Sequence, residues 1–187
     1  MNLFLTLAFL FLIGSVLGWG LEVIFRRFFS AHRWVNPGFL VGPYLPLYGS
    51  SLCVLYLLAM LESLMPVENP LLKKIMLFVV MALAITALEY VAGLIFIRGM
   101  KIKLWDYSDR WGNIQGIICP LFTFFWMVLS AVYYFLIHPH ILNALHWLAE
   151  NLAFSFGIGF FYGIFLIDVG YSTHLMVKIR EFAKETN

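Results

Sequence analysis

The run IMLFVVMALAITALEYVAGLIFI, residues 75–97, decides the fold of this chain. A helix needs about 20 apolar residues to cross the hydrocarbon core of a bilayer, and this run is long enough to do so. Its one charged residue is Glu89. A carboxylate at that depth is costly, so an ionisable residue inside a span is by default a functional-site hypothesis. We therefore treat Glu89 as the centre of a candidate site.

The rest of the chain shares this apolar character. Hydrophobic residues make up 63% of the sequence and charged residues 12%, whereas soluble domains carry about 25% charged residues. No stretch is left for a soluble domain. We predict an all-α fold with one transmembrane domain over residues 1–187, an integral membrane bundle of five helices. The apolar runs place the spans at residues 3–25, 44–61, 72–97, 114–137 and 152–177.

The placement of lysine and arginine predicts the orientation of the bundle. Ten of the twelve basic residues fall in the first and third connections and after the fifth span, and only Lys73 and Lys74 fall elsewhere. Basic loops are retained on the cytoplasmic side. We expect a multi-pass protein of the cell (cytoplasmic) membrane, with its N-terminus outside and its C-terminus in the cytoplasm.

Two further acids, Glu22 and Asp168, lie in other apolar runs. With this orientation all three acids lie toward the cytoplasmic face, with Glu89 about 12 Å from the inner end of its span. Glu22 can pair with Arg26 one turn later, and Asp168 shares a helix face with Ser172. The three acids therefore predict a polar site that opens to the cytoplasm.

Two loops differ from ordinary connections. Residues 36–49 hold three prolines and three glycines among apolar residues, so they cannot form one regular helix. Irregular backbone at membrane depth is tolerated where the protein shelters it, which suggests that this loop dips into the bundle; the alternative is a plain interfacial turn. Residues 98–113 are the most polar stretch and include Trp105-Asp106-Tyr107-Ser108, an acid between two aromatic residues.

A spacing repeat links the two loops. Gly38-x3-Gly42-x3-Pro46 follows Glu22, and Gly112-x3-Gly116-x3-Pro120 follows Glu89. Both units start outside, so the repeat would relate spans one and two to spans three and four by an axis along the membrane normal, with the fifth helix added. Coincidence is the alternative, because glycine and proline are common in membrane helices.

The sequence predicts neither a disulfide framework nor a metal site. Cys53 and Cys119 fall inside separate predicted spans without a paired spacing. The outer residues His138, His140, His146 and Glu150 match no metal-ligand motif. There is also no serine nucleophile elbow, Cys-x-x-Cys pair or Walker A glycine loop. Whether the chain is an enzyme is left open, and no cofactor is indicated.

Several motifs together resemble a known family. They are Gly-Trp-Gly-x-Glu-x3-Arg from Gly18 to Arg26, Asn36-Pro-Gly-Phe-Leu-x-Gly-Pro, Pro46-Leu-Tyr-Gly49, Leu88-Glu89-Tyr90-x2-Gly93, Trp105-Asp106-Tyr107-Ser108 and Asn113-x2-Gly116-x-Ile118-Cys119. From about Trp19 to Trp126 the chain is similar to the bacterial type IV ABC-transporter permease family, called CmpB-like. The resemblance implies a small polytopic membrane protein that works with a separate ATPase subunit.

We expect a transporter component whose cytoplasm-facing cavity binds a cation or small polar solute. Two alternatives stay open. The first is a membrane-embedded enzyme or lipid-binding protein for a phosphate-bearing head group, with arginines as phosphate contacts. The second is a structural or regulatory subunit. The expected partners are the lipid bilayer and an ATPase subunit or a second copy of the chain, with no nucleic acid. The candidate ligand-binding residues are Glu22, Arg26, Arg33, Asn36, Glu89, Tyr90, Arg98, Trp105, Asp106, Tyr107, Ser108, Asn113, Gln115, Asp168 and Ser172.

Overall fold

The computed structural model describes residues 3–30, 32–149 and 151–185. Six α-helices follow one another along the chain, and no strand occurs in these ranges. The helices are α1 (Leu3–Phe25), α2 (Pro46–Met60), α3 (Pro70–Leu94), α4 (Pro120–Val132), α5 (His138–Ala149) and α6 (Leu152–Glu185). Short π-helical segments follow α1 (Arg26–Ser30), α3 (Ile95–Met100) and α4 (Tyr133–Ile137), and a 3₁₀ turn (Leu61–Leu64) follows α2.

Among the described residues, five helical runs are long and apolar enough to cross a membrane, so the predicted all-α bundle of five transmembrane helices is confirmed. They are Leu3–Phe29, Pro46–Leu64, Pro70–Met100, Pro120–Leu145 and Ala153–His174. Helices α4 and α5 thus contribute to one continuous run. Helix α6 continues to Glu185, beyond the predicted end of the fifth span at residue 177.

Proline starts three of these helices, and it explains where the structure differs from the predicted spans. The fourth run begins at Pro120 rather than at Ile114, and the second at Pro46 rather than at Tyr44. Proline has no N–H to donate and suits the first turn of a helix. Before Pro120, Gln115 and Gly116 have φ of 56° and 67°, a left-handed conformation that ends regular helix.

Helices α1 and α2 pack closely through glycine residues on both helices. A Cβ atom at Gly14 would lie 2.9 Å from Leu52 Cβ, and one at Gly18 would lie 2.2 Å from Tyr48 Cβ. On α2, a Cβ atom at Gly49 would lie 2.2 Å from Ser15 Oγ. Small residues at these positions let the two backbones approach each other.

The core lies where α1 and α2 meet α3 and α4. Leu10, Met81, Ile85 and Tyr133 are among its fully buried side chains. Helix α1 packs mainly against α2, and α3 mainly against α4. That pairing matches the pairs in the proposed repeat, but their superposition by rotation remains a prediction.

The loop between α1 and α2 enters the bundle, as its prolines and glycines suggested. The N–H of Leu45 donates a hydrogen bond of 2.9 Å to the carbonyl oxygen of Ser15. Ser15 lies about 15 Å along α1 from Phe25, at 1.5 Å per residue. The loop therefore returns to about the middle of α1 before α2 begins.

Candidate functional site

Glu89 lies on the buried face of α3, with 3% of its surface exposed. The two oxygens of its carboxylate each accept a hydrogen bond from a different element. The indole N–H of Trp126, on α4, donates to Oε2 at 2.8 Å, and the hydroxyl of Tyr107, in the loop before α4, donates to Oε1 at 3.0 Å. Glu89 thus faces the protein interior and contacts the Trp105-Asp106-Tyr107-Ser108 motif.

The loop of residues 101–119, which we call the inner loop because the sequence predicts it to lie on the cytoplasmic side, reaches Glu89 because it packs on the end of α3. A Cβ atom at Gly93 would lie 2.2 Å from Ile117 Cγ2, so only glycine leaves room for Ile117. The indole N–H of Trp105 donates to the carbonyl oxygen of Ile117 at 2.8 Å. The ring of Tyr107 stacks on Phe122 with centroids 4.2 Å apart. Burial, followed by the charge of Glu89, raises the pKa of Tyr107, so its hydroxyl stays a donor.

Glu22 forms the second half of the site. Arg26 Nε donates to its Oε1 at 3.0 Å, and the hydroxyl of Tyr48 donates to its Oε2 at 2.9 Å. Arg26 Nη2 also reaches the carbonyl oxygen of Leu104, at 3.5 Å. The predicted pairing of Glu22 with Arg26 is therefore present, and it also contacts the inner loop.

Aromatic rings connect the two acids. The rings of Tyr48 and Trp126 lie with centroids 5.8 Å apart, and Tyr48 donates to Glu22 while Trp126 donates to Glu89. We call the following set the acid–aromatic cluster: Glu22, Arg26, Tyr48, Glu89, Tyr107 and Trp126.

The cluster contains two carboxylates and one guanidinium. Among the described residues, Glu22 with Arg26 and Lys103 with Asp106 are the two ion pairs, so Glu89 has no cationic side chain as a partner. With both acids ionised the cluster has a formal charge of −1. A buried charge without a partner is strongly unfavourable. The arrangement therefore suits a proton or a bound cation.

Asp168 lies in a separate arrangement that we call the Asp168 clasp. Its carboxylate accepts hydrogen bonds from the N–H of Val41 at 3.1 Å and of Gly42 at 2.7 Å, and from the hydroxyls of Tyr44 and Ser172. Four donors occupy its oxygens, as in a backbone nest that binds an anion. The clasp joins α6 to the loop that enters the bundle.

Asp106 is exposed and forms part of the framework of the inner loop. It accepts hydrogen bonds from Lys103 Nζ at 2.5 Å and from the N–H and hydroxyl of Ser108 at 2.9 and 2.5 Å. These bonds, with the one from Lys103 first, lower the pKa of Asp106 to about 2. Asn113 closes the loop by donating to the carbonyls of Ser108 and Arg110. Asp106, Ser108 and Asn113 are therefore bonded within their own loop.

The remaining predicted residues are not members of the cluster. Asn36 accepts from the indole of Trp19 at 2.9 Å and donates to the carbonyl of Leu40. Tyr90 is half-buried, whereas three others are exposed: Arg33, Arg98 and Gln115. Within the part of the chain that the structure describes, none of these four side chains has a hydrogen-bond or ion-pair partner.

Three aromatic residues in these two arrangements were missed at the sequence level: Tyr44, Tyr48 and Trp126. Each donates a hydrogen bond to one of the three acids. The sequence carries a signal for Tyr48 and Trp126, because tyrosine and tryptophan inside an apolar span need an acceptor for their polar tip. Sequence spacing alone does not assign each donor to its acid.

A pocket of about 270 Å³ lies beside the start of α4. Its lining is largely apolar and contains none of the three acids; it consists of Gly112, Ile114, Ile118, Cys119, Pro120 and Thr123. Thr123 shares a hydrogen bond of 3.1 Å with Thr86, one turn before Glu89 on α3. The pocket therefore lies next to the cluster but does not include it.

Cys53 and Cys119 are free thiols. A search of the described residues finds no group of three or more His, Cys, Asp or Glu side chains that could hold a metal ion. Glu150 lies outside those residues, and the side chain of His146 is not described.

Comparison with known proteins gives one match. A family model described as "Putative ABC-transporter type IV" matches residues 9–173. This range includes all three acids, the inner loop and the three middle apolar runs. It also includes the first and fifth runs except residues 3–8 and residue 174. No curated protein and no solved structure matches significantly.

Proposed function

Because the chain belongs to this ABC-transporter type IV family, we propose that it is the membrane-spanning component of a transporter and binds a cation or small polar solute at the acid–aromatic cluster. The observation that carries the proposal is the charge balance of that cluster. Glu89 is buried and has two hydrogen-bond donors but no cationic side chain. A monovalent cation that binds there would bring the formal charge to zero, so the geometry favours a cation over a neutral solute.

The candidate site residues divide into groups with different proposed roles. Glu22 and Glu89 supply the charge, and Tyr107 connects the inner loop to Glu89. Asp168 and Ser172 hold the loop that enters the bundle, so their effect on binding is indirect. Arg33, Arg98, Gln115 and Tyr90 would contact a solute on its way to the cluster.

A separate ATPase subunit fits this proposal. Residues 1–187 contain no Walker A motif, and a separate subunit that hydrolyses ATP is the arrangement that we propose. The described chain consists of helices and their connections, which supports one transmembrane domain.

A structural role is the alternative that a specific contact favours for Glu22. Its carboxylate is paired with Arg26 on the same helix, and such pairs often only close a helix end. Glu89 has no such pairing. A substitution at Glu89 therefore distinguishes a binding role of the cluster from a purely structural role. In the phosphate-binding alternative, Arg26 would contact the phosphate group. Its guanidinium already donates to Glu22 and to the carbonyl oxygen of Leu104, so this contact does not favour that alternative.

The proposed orientation predicts the result of cysteine labelling. In a background without Cys53 and Cys119, we expect Val67→Cys to react with an impermeant thiol reagent on intact cells and Lys101→Cys to react only after the cells are opened. The physical reason is the retention of basic loops in the cytoplasm. Labelling of Lys101→Cys in intact cells, with Val67→Cys protected, would reverse the orientation and place the cluster toward the outside.

Binding at the cluster predicts that stability depends on a cation. A ligand that binds the folded state alone raises the free energy of unfolding by about 2.7 kcal/mol at one hundred times its Kd. We expect the unfolding midpoint of the purified protein to respond to pH or to Na⁺, K⁺ or Mg²⁺. The response should be lost in Glu89→Gln. Glu62→Gln is the matched control, because Glu62 also accepts a hydrogen bond from a tyrosine, Tyr134, outside the cluster.

A further inference from the structure

We propose that the cation of the acid–aromatic cluster is a proton, held by Glu89 beside the ionised pair of Glu22 and Arg26. This inference rests on the proposed function and identifies what the site binds. In the binding step one proton joins a carboxylate oxygen of Glu89 to form a neutral carboxyl group. The formal charge of the cluster then changes from −1 to zero, and no other bond is made or broken.

The groups around the two acids favour a proton over a metal ion. An indole N–H and a guanidinium can only donate hydrogen bonds, and the hydroxyls of Tyr48 and Tyr107 also donate in this arrangement. Their hydrogen atoms point at the carboxylate oxygens, where a metal ion would have to bind. Ca²⁺ and Mg²⁺ take six or more oxygen ligands. The cluster offers two carboxylates with a donor already on each oxygen.

The packing of the cluster excludes a larger organic cation. Glu89 has 3% of its surface exposed and Trp126 has 9%. Gly18 lies so close to the ring of Tyr48 that a single methyl group would overlap it. The neighbouring pocket is lined by other residues. A proton needs no added volume, and the hydroxyl of Tyr107, which can donate or accept, can turn to accept a hydrogen bond from the neutral carboxyl group of Glu89.

The charged and hydrogen-bonding groups near Glu89 come from five elements. Helix α1 and the turn after it provide Glu22 and Arg26, which carry opposite charges and largely cancel. The other contributions are neutral hydrogen-bonding side chains. They are Tyr48 from α2, Tyr107 from the inner loop, Trp126 and Thr123 from α4, and Thr86 and Tyr90 from α3 itself. Glu89 is therefore the group in this set whose charge is left unbalanced.

Infrared spectroscopy of the purified protein tests this directly, because a protonated carboxyl group has a carbonyl stretching band apart from the amide bands. At neutral pH we expect the band in the wild type and in Glu62→Gln, and its absence in Glu89→Gln. Added Na⁺, K⁺ or Mg²⁺ should leave it unchanged. In Tyr107→Phe the ionised form of Glu89 loses one donor, so the band should persist to a higher pH than in the wild type.

Two results would overturn the proton assignment. One is a wild-type protein without the band, and the other is a band that Glu89→Gln retains. If Na⁺, K⁺ or Mg²⁺ removes the band and stabilises the wild type but not Glu89→Gln, the site binds that ion; the proton assignment fails and the proposed function stands. If Glu89→Gln matches the wild type in the band and in every cation response, the proton assignment and the proposed function are both wrong. If Glu89→Gln does not fold, Tyr107→Phe provides the test. A carboxyl band that disappears at the same pH in Tyr107→Phe as in the wild type would contradict the proposal.

Discussion

Replacing Gly49 with alanine is expected to destabilise the bundle by about 1–3 kcal/mol, as overpacking of a close-packed interior does. The added methyl group would lie 2.2 Å from Ser15 Oγ and 2.5 Å from the carbonyl oxygen of Phe11. The first atom can rotate away, but the second is backbone of α1. Relief therefore requires α1 and α2 to separate, and the unfolding midpoint of the purified variant should fall.

Gly163→Ala provides the matched control. Gly163 lies inside α6, and no atom lies within 4 Å of the Cβ that would be added. Both substitutions gain the helix propensity of alanine over glycine, about 1 kcal/mol. The difference between the two variants thus isolates the contact between α1 and α2. Equal stability of the two would show that the close approach of these helices does not hold the bundle together.

Removal of the Asp168 carboxylate is the second large change that we expect. In Asp168→Ala the N–H groups of Val41 and Gly42 and the hydroxyl of Tyr44 lose their acceptor. The hydroxyl of Tyr44 is buried and the two N–H groups are part-buried, and a buried donor left unsatisfied costs about 1–3 kcal/mol. The amides of Val41 and Gly42 should exchange with solvent faster, and the unfolding midpoint should fall. Hydrogen exchange followed by mass spectrometry measures the first effect.

Tyr171→Phe serves as the control for Asp168→Ala. Tyr171 is an exposed residue of α6 close to Asp168, and loss of its hydroxyl should leave exchange at residues 41 and 42 unchanged. If Asp168→Ala also leaves that exchange unchanged, the loop is held by other contacts and the clasp has no role in docking it.

Much of the fold could be predicted from the sequence because its physical causes are local. The apolar runs, the basic loops and the lone acid in residues 75–97 each lie within a single stretch of chain. The pairings of Glu22 with Arg26 and of Asp168 with Ser172 follow from helix spacing. The start of the fourth span was predicted wrongly because Ile114 to Cys119 are mostly apolar, although positive φ values there end regular helix before Pro120.

The partners of the acids could not be predicted because they come from distant parts of the chain. Trp126 and Glu89 are 37 residues apart, and Val41 and Asp168 are 127 residues apart. Their meeting depends on how the helices pack, which periodicity does not determine. The sequence also suggested one shared cavity for all the acids, whereas the structure gives Asp168 and Asp106 hydrogen-bond partners outside the acid–aromatic cluster.

The cation response of Glu89→Gln decides whether the acid–aromatic cluster binds a cation. We expect this variant to fold, and we expect that its unfolding midpoint no longer follows the cation that stabilises the wild type and Glu62→Gln. For a proton held by the folded protein, the wild type should lose stability as pH rises, by up to about 1.4 kcal/mol per pH unit, and Glu89→Gln should lose less. An equal pH and cation response in the two proteins would contradict the account. So would a large loss of stability in Glu89→Gln without any change in that response, because Glu89 would then be a structural residue.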